Sequence, residues 1–478
     1  MLPSAVQNAT KILRPSTWSP ARLSVSSTVT GRTPPLCAIY RPRIDPIGEG
    51  IADRRWLHST AKWRPVQALD EWVAKEARPI SLRQLMVFGR SLTEERLISS
   101  ANYVRTELPT RIAHRIRDMQ RLPYVVVTNR HMSEVYELYY TAFDTFRRVK
   151  EIKTLEDNDK FCSIIAGMLR AHLTVIPKLA MGILECNGLM SAADLDRFMN
   201  TILRSRISRR VIAEQHLALT ETFNSDWFSP GAKLSESEFI GEVFLKCVAR
   251  DVVESCGRAV QDLARSAYGP DAAIPEIRVD GHLGATFPYI LTHLQYIVGE
   301  LLRNSVQAVI ENHRKNPTTD KKPPPIEVTL CEAQQHVIIR ISDRGGGISR
   351  DTLPYLWSFG KGPSTDQRLE NLGQVPLMAA TLQELRVDGN LQNDVVGHGG
   401  SHGSRYDEHN GSLTSLSTRP PNLRLGISLP LSRVYAEYWA GSLELHSLEG
   451  YGVDAFLQIS KLGNKNEQLA TRAAMDAV

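Results

Sequence analysis

One short segment constrains the fold of this chain more than any other: Asp343-Arg344 followed by three consecutive glycines at 345–347. The residues before it, Ile339–Ser342, alternate apolar and polar side chains and predict a strand. Glycine adopts positive φ and lets the backbone approach a ligand closely. Three glycines after an aspartate are more than a simple turn needs, so the pattern predicts a strand that ends in a ligand-binding loop.

A second feature is a predicted helix, about Leu291–His313, that carries Glu300 and Asn304 four residues apart. This spacing places both side chains on one helix face. An amide oxygen can ligate Mg²⁺, which prefers oxygen donors. A carboxylate one turn away can accept a proton from an attacking hydroxyl or water. Considered alone, a Glu–Asn pair at this spacing is more often an ordinary polar helix face.

Two more glycine-bearing loops follow. Residues 425–433 include Gly426 and open a predicted helix that extends to about Trp439. Free N–H groups and the helix dipole make such a helix N-terminus suitable for phosphate. Gly450 and Gly452 precede another predicted strand at about Asp454–Ile459. Further strands are predicted at 327–330, 336–341 and 443–446, and a helix over Phe239–Tyr268.

The rest of the chain predicts an α+β protein. Apolar residues recur at helical spacing from about Leu69 to about Phe223, with breaks expected at Pro109, Pro123 and Pro177. A Ser-, Gly- and Pro-rich stretch, Asn224–Ser237, is the predicted linker. No uninterrupted apolar run approaches the roughly 18 residues of a membrane span, so the chain is not predicted to be transmembrane.

The first 58 residues predict a mitochondrial transit peptide. They hold eight basic and three acidic residues, which account for the whole formal net charge of +5, and no acid precedes Asp45. Arg54–Ser59 resembles a processing site. The alternative is a disordered cytosolic tail. Since the remainder is formally neutral, a nucleic-acid partner is not predicted.

The order of these motifs resembles the GHKL ATPase superfamily over Phe239–Lys461. Four segments, residues 107–116, 300–313, 341–349 and 425–460, resemble the mitochondrial pyruvate dehydrogenase kinase and branched-chain 2-oxo acid dehydrogenase kinase family. The resemblance implies an α+β chain: an N-terminal four-helix-bundle domain followed by a GHKL (Bergerat-type) α/β sandwich ATPase domain. The expected boundaries are 1–58 for the transit peptide, 59–235 for the helical regulatory domain, 236–463 for the ATP-binding domain with a lid loop at 366–422, and 464–478 for a tail.

The resemblance also implies roles for single residues. Glu300 is the expected general base, Asn304 the Mg²⁺ ligand and Asp343 the residue that binds the adenine amine. The other expected nucleotide-binding residues are Arg303, Gly345, Gly347, Ser364, Thr365, Gly426, Ile427, Ser428 and Leu429.

The implied activity is that of a protein serine/threonine kinase of the mitochondrial matrix. It would use ATP and Mg²⁺, with K⁺ as a further candidate ion, to phosphorylate and so inhibit the dehydrogenase component of a pyruvate or branched-chain 2-oxo acid dehydrogenase complex. The implied partners are that component and a lipoyl domain of the acyltransferase core, and the implied assembly is a homodimer.

Several positions depart from the family pattern. Arg424 and Ser428 replace the outer two of three alternating glycines, and Val453 stands where threonine is usual. Arg424 offers a cation for phosphate, whereas Ser428 would strain the loop if positive φ were required. These changes favour, as an alternative, a catalytically weak or dead ATP-binding regulator of the same complex. Tyr296 points towards the branched-chain enzyme, as does the absence of the Trp-containing tail motif of the pyruvate dehydrogenase kinases. Gln307 stands where the family has an arginine.

Two other classes share the ATPase fold. A histidine kinase needs a phospho-accepting histidine, normally followed by an acid, but His114 is followed by Arg115. A chaperone or repair ATPase carries a large module after the ATPase domain. In the helical half, His172, Arg206 and Arg210 are candidate pocket residues, with a core position as the alternative for His172.

Overall fold

The computed structural model describes residues 66–90, 92–224, 239–269, 272–316, 322–362, 364–378, 423–461 and 467. All of them belong to one compact unit, Pro65–Val478. The predicted transit peptide, all but the first residue of the predicted linker, and residues 379–422 of the predicted lid lie outside the described residues. The domain boundaries therefore stay predictions.

The first half is built from helices around one apolar core. Helix α3 packs against α5, α6 and α8, and α5 packs against α7. Side chains such as Ile112, Phe143, Phe161 and Ile202 are almost fully buried there. The helical pattern predicted for about 69–223 is confirmed. The helices are α1 (Val66–Val73), α2 (Leu82–Arg90), α3 (Glu94–Gln120), α4 (Tyr124–Val127), α5 (Arg130–Arg147), α6 (Leu155–Ala171), α7 (Val175–Glu185) and α8 (Ala192–Asn224).

Side-chain caps define where several of these helices begin. The hydroxyl of Thr93 accepts a hydrogen bond from the Arg96 amide at the start of α3, and Thr154 does the same for Asp157 in α6. Such caps satisfy amides that have no partner inside the helix. The predicted break at Pro109 is wrong, because Pro109 lies buried inside α3. The flanking Leu108 and Ile112 are buried in the core, and this packing outweighs the lost backbone hydrogen bond.

The second half contains two sheets. A three-stranded antiparallel sheet has the order β1-β2-β4, and a five-stranded sheet has the order β3-β5-β6-β8-β7. In the larger sheet β3 pairs with β5 in parallel, and the other pairs are antiparallel. The strands are β1 (Phe239–Ile240), β2 (Val243–Val248), β3 (Ile277–Gly281), β4 (Thr286–Ile290), β5 (Ile326–Glu332), β6 (His336–Asp343), β7 (Ser442–Leu448) and β8 (Gly452–Ser460).

Helices cover the buried side of the larger sheet. Alternate residues of β6, from Val337 to Asp343, are buried, and α10 contacts this strand. The predicted helix at about 291–313 and the four predicted strands of this half are confirmed, as is the α+β fold. The helices here are α9 (Ala249–Tyr268), α10 (Leu291–Lys315), α11 (Thr365–Gly373) and α12 (Ser428–Tyr438).

The prediction of one helix over Phe239–Tyr268 is wrong in its first third. Residues 239–248 form strands β1 and β2, and the helix begins only at Ala249. Gly241, with φ of +58°, makes the turn between the strands. A side chain there would collide with Gln215, whose amide nitrogen donates to the Ile240 carbonyl. The hairpin is therefore set by contacts with α8, which a local pattern does not contain.

One described helical stretch, Leu155–Glu185, is long and apolar enough to cross a membrane by length and composition alone. In the fold it consists of α6, a 3₁₀ turn at His172–Thr174 and α7. Phe161 and Ile165 from this stretch are buried in the helical core. A core helix of a folded domain meets the same criteria, so this stretch is not evidence of a membrane span.

Candidate nucleotide-binding site

A cleft of about 690 Å³ lies beside α10, the glycine loop after β6 and the N-terminus of α12. Its volume falls in the range typical of small-molecule sites. Three residues predicted to bind nucleotide or catalyse do not line it: Glu300, Thr365 and Ile427. Ile427 is only 1% exposed and packs in the core. The predicted residues that do line the cleft are Arg303, Asn304, Asp343, Gly345, Gly347, Ser364, Gly426, Ser428 and Leu429.

Helix α10 supplies the predicted catalytic and metal-binding groups. Glu300, with an 11% exposed side chain, lies one turn before Asn304 and 3.8 Å from the Nη1 atom of Arg303. The Nδ2 atom of Asn304 is buried without a hydrogen-bond partner among the described residues. An Nδ2 group is a hydrogen-bond donor, so it fits an acceptor such as a phosphate oxygen of ATP and does not bear on a metal ion. Binding of Mg²⁺ to the Oδ1 atom of Asn304 stays a prediction.

Asp343 is held at the end of β6 by two hydrogen bonds. Ser305 Oγ donates to Asp343 Oδ2 at 2.8 Å, and the Gly345 amide donates to Oδ1 at 2.9 Å. Burial raises the pKa of Asp343 above its usual value, although these bonds oppose the shift. The carboxylate is thus fixed in a direction that suits an amine donor such as that of adenine.

The glycines after Asp343 are needed where the backbone passes other chain segments. A Cβ atom on Gly345 would lie 2.6 Å from the Cβ of Ala308, and one on Gly347 would lie 2.2 Å from the Leu448 carbonyl. Gly347 also has a φ of +73°, which disfavours other residues. The predicted strand that ends in a ligand-binding loop is present with this geometry.

The glycine loop before α12 differs from the expectation at Ser428. Gly426 has a φ of +70°, but Ser428 is the first residue of α12 and is not among the positive-φ residues. The serine therefore causes no backbone strain in this loop. Its position at the helix N-terminus leaves amide groups directed at the cleft, as a phosphate site requires.

Arg368 is a buried cation of the site that the sequence analysis missed. Its guanidinium donates to the carbonyls of Phe359, Lys361 and Gly426, and a Cβ on Gly426 would collide with it. Asn371, one turn later on α11, donates to the Arg424 carbonyl at 2.9 Å. These two residues join the start of the predicted lid to the glycine loop. Arg368 and Asn371 lie three residues apart on a short polar helix, and this spacing alone does not indicate a binding site in the sequence.

Arg424 and Glu311 face each other across the mouth of the cleft. Arg424 donates to Glu311 Oε2, and Gln307 Nε2 donates to the other oxygen of the same carboxylate at 2.9 Å. Burial opposes ionisation of Glu311, but the hydrogen bonds from Arg424 and Gln307 outweigh it and lower its pKa. Arg424, which departs from the family pattern, therefore has an acidic partner in the fold.

The segment that begins the predicted lid includes a helix and a strained residue. Residues 365–373 form α11 although 366–422 were predicted as loop. Ser364, just before this helix, has a φ of +59°. Such a conformation is uncommon for a non-glycine residue and clusters at functional sites. Ser364 lines the cleft, whereas Thr365 begins the helix and does not.

The helical half holds one wall of the cleft in place. The Phe359 amide donates to Asp196 Oδ1 of α8 at 2.7 Å, and the Met378 amide donates to the Leu173 carbonyl at 3.1 Å. Gly360 packs at van der Waals distance from Ile183 of α7. The segment before the predicted lid, at Phe359 and Gly360, and the last described residue of the lid, Met378, are thus bound to the helical half.

A second, small cavity of about 30 Å³ lies inside the helical half. His172, Arg206 and Arg210 line it together with Arg209, so the candidate pocket residues do come together. Burial, with Arg209 as the next cause, lowers the pKa of His172 to about 3. The neutral His172 ring stacks on Tyr139, and its Nε2 atom lies 3.4 Å from the Leu138 carbonyl, as expected for a histidine packed in the core.

Comparison with known proteins agrees with this geometry. Residues 79–244 match the family model of the mitochondrial branched-chain alpha-ketoacid dehydrogenase kinase, and residues 290–461 match that of the histidine kinase-, DNA gyrase B- and HSP90-like ATPases. The mitochondrial pyruvate dehydrogenase (acetyl-transferring) kinase 2 of Saccharomyces cerevisiae is 31% identical over 440 residues, which cover 84% of this chain and 85% of the yeast protein. The chain belongs to the mitochondrial pyruvate dehydrogenase kinase and branched-chain dehydrogenase kinase family.

Another member of this kinase family, the mitochondrial pyruvate dehydrogenase kinase of Arabidopsis thaliana, is 29% identical over 84% of the chain and 96% of its own length. Membership confirms the predicted family, the GHKL ATPase fold and the assignment to the protein serine/threonine kinases. It also confirms ATP as the expected nucleotide and a mitochondrial location. The residue roles stay predictions, supported by the cleft.

Proposed function

We propose that this chain is a kinase that transfers the γ-phosphoryl group of ATP to a serine of the pyruvate dehydrogenase component and so inhibits its complex. One observation carries the proposal. Asn304 of α10 and Asp343 at the end of β6 line one cleft, joined by the Ser305–Asp343 hydrogen bond, and Glu300 lies one turn before Asn304 on the same helix. The proposed metal ligand and adenine-binding group are thereby combined in the cleft, with the proposed base next to them on α10.

The chemistry is that of phosphoryl transfer, in which ATP supplies the group and the protein supplies position and charge. Asp343 accepts the adenine amine, and the N-terminus of α12 donates to phosphate oxygens. Asn304 holds Mg²⁺ through its amide oxygen. Glu300 accepts the proton of the substrate serine hydroxyl, and the nearby Arg303 orients its carboxylate. K⁺ binding stays a prediction without a described site.

The dehydrogenase target follows from the relatives. The yeast and Arabidopsis proteins are named pyruvate dehydrogenase kinases, which favours pyruvate dehydrogenase. A branched-chain 2-oxo acid dehydrogenase is the second candidate, because the helical half matches the branched-chain kinase model. The buried Tyr296, one turn before Glu300, points the same way. Both dehydrogenases are offered as substrates in the test below.

The remaining partners and the compartment are proposals of the same kind. We expect a homodimer, a lipoyl domain of the acyltransferase core as the docking partner, and the matrix as the compartment. The outer side of β6, with Ile338 and Arg340 half-buried, is one surface open to a second subunit.

The decisive experiment measures phosphate transfer from labelled ATP–Mg²⁺ by the chain from about Ser59 onward. The acceptors are pyruvate dehydrogenase and branched-chain dehydrogenase, each with its acyltransferase core. Glu300→Gln is expected to lower the rate about 100-fold or more while ATP still binds. Glu254→Gln, on the exposed face of α9, is the matched control and should leave the rate unchanged.

Each alternative predicts a different result. Labelling of neither dehydrogenase, with ATP binding intact, would support a catalytically dead regulator of the complex. Label that survives base but not acid would identify phosphohistidine, and His114 would be the residue to test for phosphorylation. His114 Nε2 lies 3.1 Å from the Val73 carbonyl and 2.9 Å from that of Lys75, so its ring is already engaged.

A further inference from the structure

The side chain of Glu467 is buried between the two halves of the molecule. Its exposed fraction is 0%, although it belongs to the segment that follows the last strand. The surrounding groups come from three separate places: the backbone of Ile80 before α2, Arg111 of α3, and Tyr438 at the end of α12. A buried carboxylate is costly unless it is paired and fully hydrogen-bonded.

The bonds to Glu467 satisfy both of its carboxylate oxygens. The Ile80 amide donates to Oε1 at 3.1 Å, and Arg111 Nη2 lies 2.7 Å from the same oxygen. Tyr438 donates its hydroxyl hydrogen to Oε2. The Glu467 amide in turn donates to the Ile80 carbonyl at 2.8 Å. Glu467 is therefore bound through its backbone as well as its side chain.

The charges around Arg111 balance only when Glu467 is present. Arg111 is 2% exposed and also lies 3.3 Å from Glu107, which pairs with the exposed Arg78 at 2.7 Å. The ion-paired side chains of Arg78, Glu107, Arg111 and Glu467 thus alternate in charge. Burial alone would lower the pKa of Arg111, but Glu467, Tyr103, Tyr438 and Glu107 together outweigh it and raise that pKa, so the guanidinium stays charged. Loss of Glu467 would leave Arg111 with Glu107 as its carboxylate partner, which it shares with the exposed Arg78.

This cluster lies at the opposite end of α12 from the cleft. Ser428 begins the helix and lines the nucleotide site, whereas Tyr438 ends it against Glu467. A second contact acts at the same end, where Arg204 of α8 pairs with Glu437. The helix that presents its N-terminus to phosphate is thus held at its C-terminus by the helical half and by Glu467.

We propose that Glu467 is a positioning residue, a latch whose side chain occupies the Arg111–Tyr438 niche and fixes α12 for nucleotide binding. The inference rests on the proposed phosphate site at the start of α12, but not on phosphoryl transfer. Replacing the Glu467 carboxylate by a neutral group should therefore both weaken ATP binding and lower the stability of the fold, because Arg111 and Tyr438 each lose a partner.

The test is a double-mutant cycle on the full chain from about Ser59, with thermal unfolding and direct ATP binding as readouts. Glu467→Gln is expected to lower the melting temperature by about 3 °C or more, because it breaks the buried ion pair with Arg111. It should raise the dissociation constant of ATP about fivefold. In an Arg111→Met background the same change should cost less than about 1 °C.

A matched control is Glu276→Gln, which breaks an exposed pair with Arg278 and should alter neither readout. Additive losses in the cycle, or an unchanged melting temperature for Glu467→Gln, would overturn the latch. An unchanged ATP affinity with a lowered melting temperature would overturn the positioning role. Failure of the wild-type chain to bind ATP would instead count against the proposed function, since the unfolding cycle does not involve nucleotide.

Hydrogen exchange on the unmodified protein tests the latch without any variant. The Ile80 amide has Glu467 Oε1 as its acceptor, so it should exchange slowly, as core amides do. Rapid exchange at Ile80, with slow exchange at the neighbouring core position Leu85, would show that Glu467 does not occupy the niche. Slow exchange at both positions supports occupancy, even if the charge variants fail to fold.

Discussion

Ser305 Oγ and Asp343 Oδ2 are joined by a buried hydrogen bond of 2.8 Å that ties helix α10 to the end of strand β6. The bond links the helix of the proposed base and metal ligand to the proposed adenine-binding carboxylate. It fixes the distance between two parts of the site that are far apart in the sequence.

Ser305→Ala should weaken ATP binding about tenfold, because a hydrogen bond to a charged group is lost and the carboxylate gains freedom. Binding of a fluorescent ATP analogue measures the effect. Ser163→Ala is the control, since that hydroxyl bonds only to the Asp159 carbonyl of its own helix. Equal affinities of Ser305→Ala and wild type would show that the bond does not orient Asp343.

Asp343→Asn should abolish ATP binding yet leave the protein as stable as wild type, or more stable, at neutral pH. Burial raises the folded-state pKa of Asp343, so its ionisation opposes folding. Protonated Asp343 therefore stabilises the wild-type fold below its unfolded pKa, and this stabilisation is lost as pH rises through the raised folded pKa. Melting curves from pH 4 to 7 should show the advantage of the variant growing with pH; a constant difference would contradict this.

Gly347→Ala should reduce both stability and ATP binding. The added Cβ would lie 2.2 Å from the Leu448 carbonyl, at a backbone φ of +73°. We expect a loss of about 2 kcal/mol or more in the free energy of unfolding, from strain and overpacking together. Gly284→Ala is the control, because that position has open space. Denaturant unfolding measures both, and equal midpoints would refute the steric argument.

Ala440→Gly should stabilise the chain by about 1 kcal/mol, because Ala440 holds a φ of +58° just after α12. The same substitution at Ala436, inside α12, should destabilise it by a similar amount. The pair differ only in backbone conformation and burial, so a loss of stability at both positions would argue against the left-handed geometry at Ala440.

His216→Gln should flatten the fall in stability at acid pH. Burial lowers the pKa of His216 to about 4, whereas an unfolded histidine titrates near 6.5. Its contribution is fully present above about pH 6.5 and is lost as pH falls towards 4. Glutamine can still bond to Ser100 Oγ, which lies 3.1 Å from the ring. His446→Gln, on an exposed strand, is the control; parallel curves for His216→Gln and wild type would contradict the assignment.

The site was predictable where its chemistry is local. Asp343 with its glycines and the Glu300–Asn304 pair each lie within one turn or one strand end, so spacing made them candidates, and the family resemblance supplied their predicted roles. Arg368 could not be found this way, because its role depends on the carbonyls of Phe359 and Gly426, which only the fold brings together. Ile427 was misplaced for the same reason, since burial distinguishes it from its loop neighbours.

The fold was predictable where periodicity is strong and burial one-sided. Strand β6 alternates without interruption and was found, whereas β3 and β4 are short and were missed. The predictions failed at Pro109 and at the hairpin 239–248. In both cases tertiary packing outweighs the local preference, and the partner residues lie far away in the sequence.

The hydrogen bond between Phe359 and Asp196 lets the helical half support the segment 358–362, part of which lines the nucleotide cleft. A compound wedged between α7 and Gly360 would loosen that segment and weaken ATP binding without entering the cleft. Because such coupling is reciprocal, ATP would lower the potency of this compound only up to the coupling factor, whereas it would lower that of a nucleotide mimic without such a limit. An inhibitor screen run only at low ATP would not distinguish the two classes, and one run at high ATP would select for the wedge.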